Sequence, residues 1–259
     1  DQKASDEYKT AIKNVINCFD NVFHPKKQEK VYYLHYSRVQ ADIDCLEELE
    51  ERKLNYKYVF NLCGQDYPLK TNYDFVTDLK SLYGYNENES VDIEKVNKLW
   101  RIHRGYKLNP EILQNEKEKR FVQNTGEVLI RDPKLDKPNW LHWSPDLGKE
   151  TGLFAGSAYF LFSKEAVQFI LTDKKVQNFL EWSKNSWSPD EHIWATISRY
   201  HRLPGAYPSH RKYEFNEVHA RTRLVKWGGL DRPGDHSGYL VDAEGGHGKQ
   251  NEVKRVHMY

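Results

Sequence analysis

The order of structural signals along this chain predicts an α/β fold with a parallel-type sheet, and two observations carry the prediction. Strand-like and helix-like runs alternate in the first third of the sequence, and two long apolar runs, "YKYVFNLCGQDYPL" and "GLFAGSAYFLFS", read as buried strands.

Taken in order, Ala11, Ile12, Val15, Ile16 and Phe19 recur at helical spacing after Ser5, a good N-cap residue. "VYYLH" (31–35) is a short β-rich run, followed by a helical stretch with Val39, Ile43, Leu46 and Leu49 on one face. The next strand ends at Gly64, with Asp66 and Pro68 in the turn beyond it and a helix from Asn72 to Leu82. Ligands of parallel sheets bind beyond the carboxyl ends of strands, so the turn around "CGQDYP" is expected to line a cleft. Residues 84–94 are polar and acidic, predict an exposed loop, and hold an N-glycosylation sequon, "NES", at Asn88. "NTG" at 124–126 suggests a hairpin turn, and 131–150 a proline-rich loop containing Trp140 and Trp143. Helices are expected over 164–171, 176–184 and 189–199, and the tail from Gly228 to Gln250 is glycine-rich without a period. There is no internal repeat or obvious linker, so 1–259 is expected to form a single domain.

Composition narrows the function classes. With 39 Lys+Arg against 38 Asp+Glu there is no global basic field to attract nucleic acid. Seventeen Tyr, 11 Phe and 7 Trp stand against one Met; such rings serve first as core and second as stacking faces for sugars. No run approaches the roughly 18–20 apolar residues that span a bilayer. The chain opens in a helical pattern, "DQKASDEYKTAIKNVI", as an excised portion of a longer protein would. Cys18, Cys45 and Cys63 have no metal-binding spacing and read either as three buried thiols or as partners of cysteines elsewhere.

Two constellations carry chemistry. Asp42-x-Asp44 matches the pattern that many nucleotide-sugar enzymes use for a divalent cation, but it falls within an amphipathic helix, where a solvated face is the better reading, and substitution there is expected to be mild. No Walker-type loop, GxGxxG, GxSxG or HExxH is present. In "SWSPDEHIWATISRY" (186–200), Ser188 stands at an N-cap position, Pro189 at the first helical position and Glu191 three residues after the cap, a capping box. A carboxylate at a helix N-terminus is favoured in its ionised form, which suits a general base.

"CFDNVF" (18–23), "SRVQADIDCL" (37–46), "YVFNLCGQDYPLKTN" (58–72), "GSAYFLFSKEAV" (156–167) and "SPDEHIWATI" (188–197) occur in one order. In that combination the chain resembles the animal β-1,6-N-acetylglucosaminyltransferases that branch O-glycans, the core 2 and I-branching enzymes, as far as about Trp227. The resemblance implies a GT-A-like fold with a Rossmann-like central sheet, here lacking its first strands and truncated at both ends. It implies a Golgi-lumenal catalytic domain, disulfide-bonded and glycosylated, tethered by an N-terminal membrane helix absent from this chain; a homodimer is left open. The implied reaction is inverting transfer of GlcNAc from UDP-GlcNAc to a sugar 6-hydroxyl of a glycan acceptor, with no metal or other cofactor. The resemblance makes Glu191 the base, places Asp1 and Tyr33 at the uridine and Lys254 at the diphosphate, and makes Trp227 an acceptor-stacking ring. It implies disulfides from Cys18 and Cys45 to cysteines upstream and a free Cys63. The basic and acidic acceptor-binding residues expected just before Trp100 are not matched by "IEKVNKLW". The alternative is a non-catalytic, glycan-binding homologue that has lost donor turnover.

Overall fold

The computed structural model describes residues 4–64, 66–114, 128–137, 146–206, 224–225 and 255–256. They fall into two compact units. The first comprises the described residues of Asp1–Asn55, Trp100–Trp143 and Leu180–Asp190, the second those of Tyr56–Leu99, Ser144–Phe179 and Glu191–Tyr259.

In the first unit, the helix Asp6–Ile16 starts as its sequence predicts, with the Ser5 hydroxyl accepting from the Tyr8 amide at 3.3 Å. The helix Ser37–Glu51 buries Val39, Ile43 and Leu46, the face its spacing defines. "VYYLH" is not a strand. The Ser37 hydroxyl captures the Tyr32 amide at 2.9 Å, and Leu34 takes a left-handed φ of 63°, so the segment turns into the helix instead of extending. Strands Tyr106–Leu108 and Leu129–Arg131 pair antiparallel with Lys107 opposite Ile130; the predicted turn at 124–126 lies outside the described residues. Buried Tyr106, Val128 and Leu129 form a small core covered by Tyr32, Leu34, Trp100, Leu108 and Trp187. The Tyr106 and Trp187 rings meet edge-on at 5.0 Å, so these aromatics are used as core.

In the second unit, Tyr58–Phe60 pairs with Leu161–Ser163, Val91–Asp92 with Phe154–Ala155, and Leu224–Val225 with Arg255–Val256. All of these are antiparallel, as is the pair in the first unit, so the parallel-type sheet is not found among the described residues. The apolar run from Gly152 forms two short strands with different partners, interrupted after Ala155. The helix Asn72–Lys80 is capped by Thr71, and Lys164–Thr172 by Ser163, whose hydroxyl accepts from the Ala166 amide at 3.2 Å. The helix Lys174–Trp182 starts here, close to its predicted span, and its residues from Leu180 on count with the first unit. Phe160 stacks on Phe162 at 4.5 Å and leans on Trp194 at 4.8 Å, centring the core on strand Leu161–Ser163 and helix Ile193–Ser198.

The segment 84–94 is not an exposed loop. Asn86, Asn88 and Ser90 are at most 4% exposed, and Ile93 is buried with them. The Asn86 side chain is satisfied internally: its Oδ1 accepts from the Ser163 amide at 2.8 Å, and its amide donates to the Pro204 carbonyl at 2.7 Å. Polar residues are tolerated inside when each finds such a partner. Among the described residues no helix is long and apolar enough to cross a membrane.

Candidate active site

The segment holding Glu191 departs from the capping box. Ser188 is buried with a left-handed φ of 46°, its amide donating to the Leu34 carbonyl at 2.9 Å. Its hydroxyl donates to Asp190 Oδ1 at 3.0 Å. Pro189–Glu191 then forms one 3-10 turn, and His192, at φ −135° and ψ −28°, separates it from the helix Ile193–Ser198. Glu191 therefore precedes the helix instead of occupying its first turn, and the cap and dipole roles expected of it do not apply in that form.

Within the second unit, several bonds fix Glu191. Its carbonyl accepts from the Gly156 amide at 2.8 Å. Gly156 follows Ala155, which pairs with Val91. The helix after Glu191 is clipped to the same strand pair, because Thr196 Oγ1 accepts from the Phe154 amide at 3.0 Å. Arg199 donates to the Ser90 carbonyl at 2.9 Å and lies over the Phe154 ring at 4.9 Å. His192 is buried, its ring edge-on to Phe179 at 6.5 Å. The backbone at Glu191 is thus rooted in the core while its carboxylate reaches solvent, 38% exposed and 3.6 Å from Lys98 Nζ. A rooted carboxylate beside a cation can accept a proton from a hydroxyl brought to it.

The other predicted site residues belong to the first unit or lie outside the described residues. Tyr33 lies in the turn before the helix Ser37–Glu51 of the first unit, 53% exposed, rather than on a strand. Asp1, Trp227 and Lys254 are outside the described residues, as are Trp140 and Trp143. Asp42 and Asp44 do lie within a helix, but their face is not solvated: both are buried. Asp42 pairs with Arg38, and Asp44 accepts from Gln40 at 3.0 Å with Lys27 at 3.6 Å. Among the described residues no three His, Cys, Asp or Glu side chains are grouped as metal ligands. Cys18 and Cys45 are exposed, so the reading as three buried thiols is wrong; half-buried Cys63 donates its thiol to Asp66 at 2.6 Å. Asp66 also accepts from the Cys63 amide at 2.9 Å. Lys98 was not singled out by sequence, since it lies far from Glu191 along the chain and belongs to no motif.

Comparison with known proteins defines the class of this mixed helix-and-strand chain. The family model described as Core-2/I-Branching enzyme matches residues 1–256, and this chain belongs to that family. It is 37% identical over 227 residues to the human β-1,3-galactosyl-O-glycosyl-glycoprotein β-1,6-N-acetylglucosaminyltransferase, covering 88% of this chain and 47% of that protein. It is 38% identical over 228 residues to the protein of that name from Bovine herpesvirus 4, covering 88% and 46%. It is 35% identical over 230 residues to the human β-1,3-galactosyl-O-glycosyl-glycoprotein β-1,6-N-acetylglucosaminyltransferase 3, covering 88% and 47%. The chain spans about half the length of these relatives.

Proposed function

We propose that this chain is part of the catalytic domain of an inverting β-1,6-N-acetylglucosaminyltransferase that branches O-glycans, with Glu191 as general base. The observation that carries the reading is the Glu191 carboxylate, half exposed on a turn whose backbone is bonded to Gly156, in a chain whose relatives bear that transferase name. Glu191 takes the proton of an acceptor sugar's 6-hydroxyl as that oxygen attacks C1 of GlcNAc in UDP-GlcNAc. The C1–O bond to the diphosphate breaks on the opposite face, and UDP leaves with the electron pair, so the configuration at C1 inverts.

The remaining roles belong to the same proposal. Asp1 and Tyr33 contact uridine, Lys254 neutralises the diphosphate in place of a metal ion, and Trp227 stacks on the acceptor. Metal independence is supported by the helix setting of Asp42 and Asp44, whose carboxylates are already paired with Arg38, Gln40 and Lys27. The fold is proposed to be GT-A-like, in a Golgi-lumenal domain of a membrane-anchored protein.

Glu191→Gln in the full-length protein tests the reading. It is expected to keep UDP binding and folding and to lower transfer by at least about 10²-fold, as for other acid–base groups. Near-normal transfer would remove Glu191 from the chemistry. A wild-type protein that binds acceptor and transfers nothing would instead be a glycan-binding homologue.

A further inference from the structure

We infer that Lys98 is a positioning residue for the Glu191 carboxylate, an inference that rests on the reading of Glu191 as the base. The two side chains come from distant parts of the sequence, yet both are built on one frame. Strands Val91–Asp92 and Phe154–Ala155 pair, and the Ile93 amide extends the pairing by donating to the Leu153 carbonyl at 3.1 Å. A turn then brings Lys98 back, its amide donating to the Ile93 carbonyl at 3.1 Å. Asn97, at a left-handed φ of 53°, and Asp92, whose carboxylate accepts from the Glu94 amide at 2.9 Å, shape that turn. On the other strand, Gly156 holds the Glu191 carbonyl at 2.8 Å.

Little freedom remains between these two anchors. A Cβ at Gly156 would lie 1.8 Å from the Glu89 carbonyl oxygen, so the strand carrying Glu191's partner sits directly against the segment that leads to Lys98. The frame sets Lys98 Nζ 3.6 Å from Glu191 Oε2, with the lysine side chain 27% exposed and the glutamate 38%. The staggered rotamers of a glutamate differ in where they point its carboxylate, and only some aim it at a bound hydroxyl. An ammonium held on the frame selects among them. Stability is not the reason for the pair, since exposed ion pairs contribute little to it. Its effect is to orient the base, and orientation acts on the chemical step.

The test uses the full-length protein with Lys98→Met, which keeps most of the apolar stem, and Lys98→Arg, which keeps the charge. Lys98→Met is expected to lower kcat about tenfold with acceptor KM changed less than about twofold, the pattern of an interaction needed in the transition state. Lys98→Arg should recover most of the loss. In a Glu191→Gln background, Lys98→Met should cost nothing further, because the group it positions is gone. Full kcat in Lys98→Met, a rise in acceptor KM alone, or a further loss on top of Glu191→Gln would each overturn the inference while leaving Glu191 as base. An active Glu191→Gln protein would overturn the functional reading itself. Thermal melts separate both from misfolding, since neither variant should move Tm appreciably.

Discussion

Asn88 donates its side-chain amide to the carbonyl of Tyr159 at 2.9 Å. The same amide donates to the Ser157 carbonyl at 3.2 Å, and the residue is 4% exposed. The nitrogen that an N-glycan would occupy is therefore committed to the fold. Peptide mass spectrometry of the folded full-length protein is expected to find Asn88 unmodified, although it heads a sequon. Asn88→Ala should cost about 1–3 kcal/mol in urea unfolding, the range for losing hydrogen bonds of a buried amide. A glycosylated Asn88 in active protein would show that segment 84–94 opens.

Asp42 and Asp44 were expected to tolerate substitution as surface residues; their burial changes the expected result. Asp42→Ala and Asp44→Ala should each lower stability by about 1–3 kcal/mol, because Arg38, or Gln40 and Lys27, lose a partner. Chelation with EDTA should still leave transfer nearly unchanged in the wild-type protein. Activity lost to EDTA and restored by Mn²⁺ would require another account of how the diphosphate is neutralised.

Lys137 gives a pH signature in the first unit. Its ammonium donates to the Ser186 hydroxyl at 3.1 Å and the Ile102 carbonyl at 3.3 Å, and lies 4.6 Å from the Trp182 ring centre. Burial pushes its pKa down to about 8, against the opposing charge of Asp136. The unfolded value lies near 10.4. Between these values the unfolded chain holds a proton that the folded chain has released, so Lys137 makes stability rise with pH across that window. Below about pH 8 both states are protonated and the burial cost is fully present. Urea unfolding of wild type and Lys137→Met from pH 7.5 to 10 should show the difference shifting in favour of wild type as pH rises. A constant difference would mean that the lysine titrates normally.

The cysteines test the family-implied cross-links. Cys18 and Cys45 both reach the surface, where cysteines from elsewhere in a longer chain can meet them. Non-reducing peptide mapping of the full-length protein is expected to find each joined to a cysteine outside this chain, with Cys63 free. In the reduced chain, shielding of the Cys45 thiol, then the nearby Asp42, Asp44 and Glu48, push its pKa up. Its alkylation should therefore need a more alkaline pH than that of an unperturbed thiol, since the thiolate is the nucleophile. A Cys18–Cys45 bridge would count against the carry-over from the family.

Helices with clear caps and spacing were legible from sequence. Ser5, Thr71 and Ser163 each cap the helix that follows, and Val39, Ile43 and Leu46 mark a buried face. Strand pairing was not legible, because an apolar run records burial and not the direction of its neighbour: Tyr58–Phe60 meets Leu161–Ser163 antiparallel. Polarity misled at 84–94 and at Asp42 and Asp44, where the groups that satisfy the buried side chains come largely from other segments or neighbouring turns. At the site, the motif located Glu191 but its spacing suggested the wrong local shape. A left-handed Ser188 and a break at His192 have no marker in residue type, and Lys98 becomes a neighbour only through folding.

The absence of room at Gly156 gives a rule for sorting related sequences. Ser-Pro-Asp-Glu is short enough to survive in a chain that has stopped working, so its presence alone is a poor marker of activity. A side chain at position 156 would have to displace the Glu89 backbone, and with it the edge that leads to Lys98. A relative that retains the tetrapeptide but places any larger residue at this position is expected to carry a displaced backbone at the position of Glu89, and a transfer assay decides whether it turns over. Gly156→Ala is correspondingly expected to lower transfer without removing an ionisable group, which a transfer assay run beside a thermal melt would check.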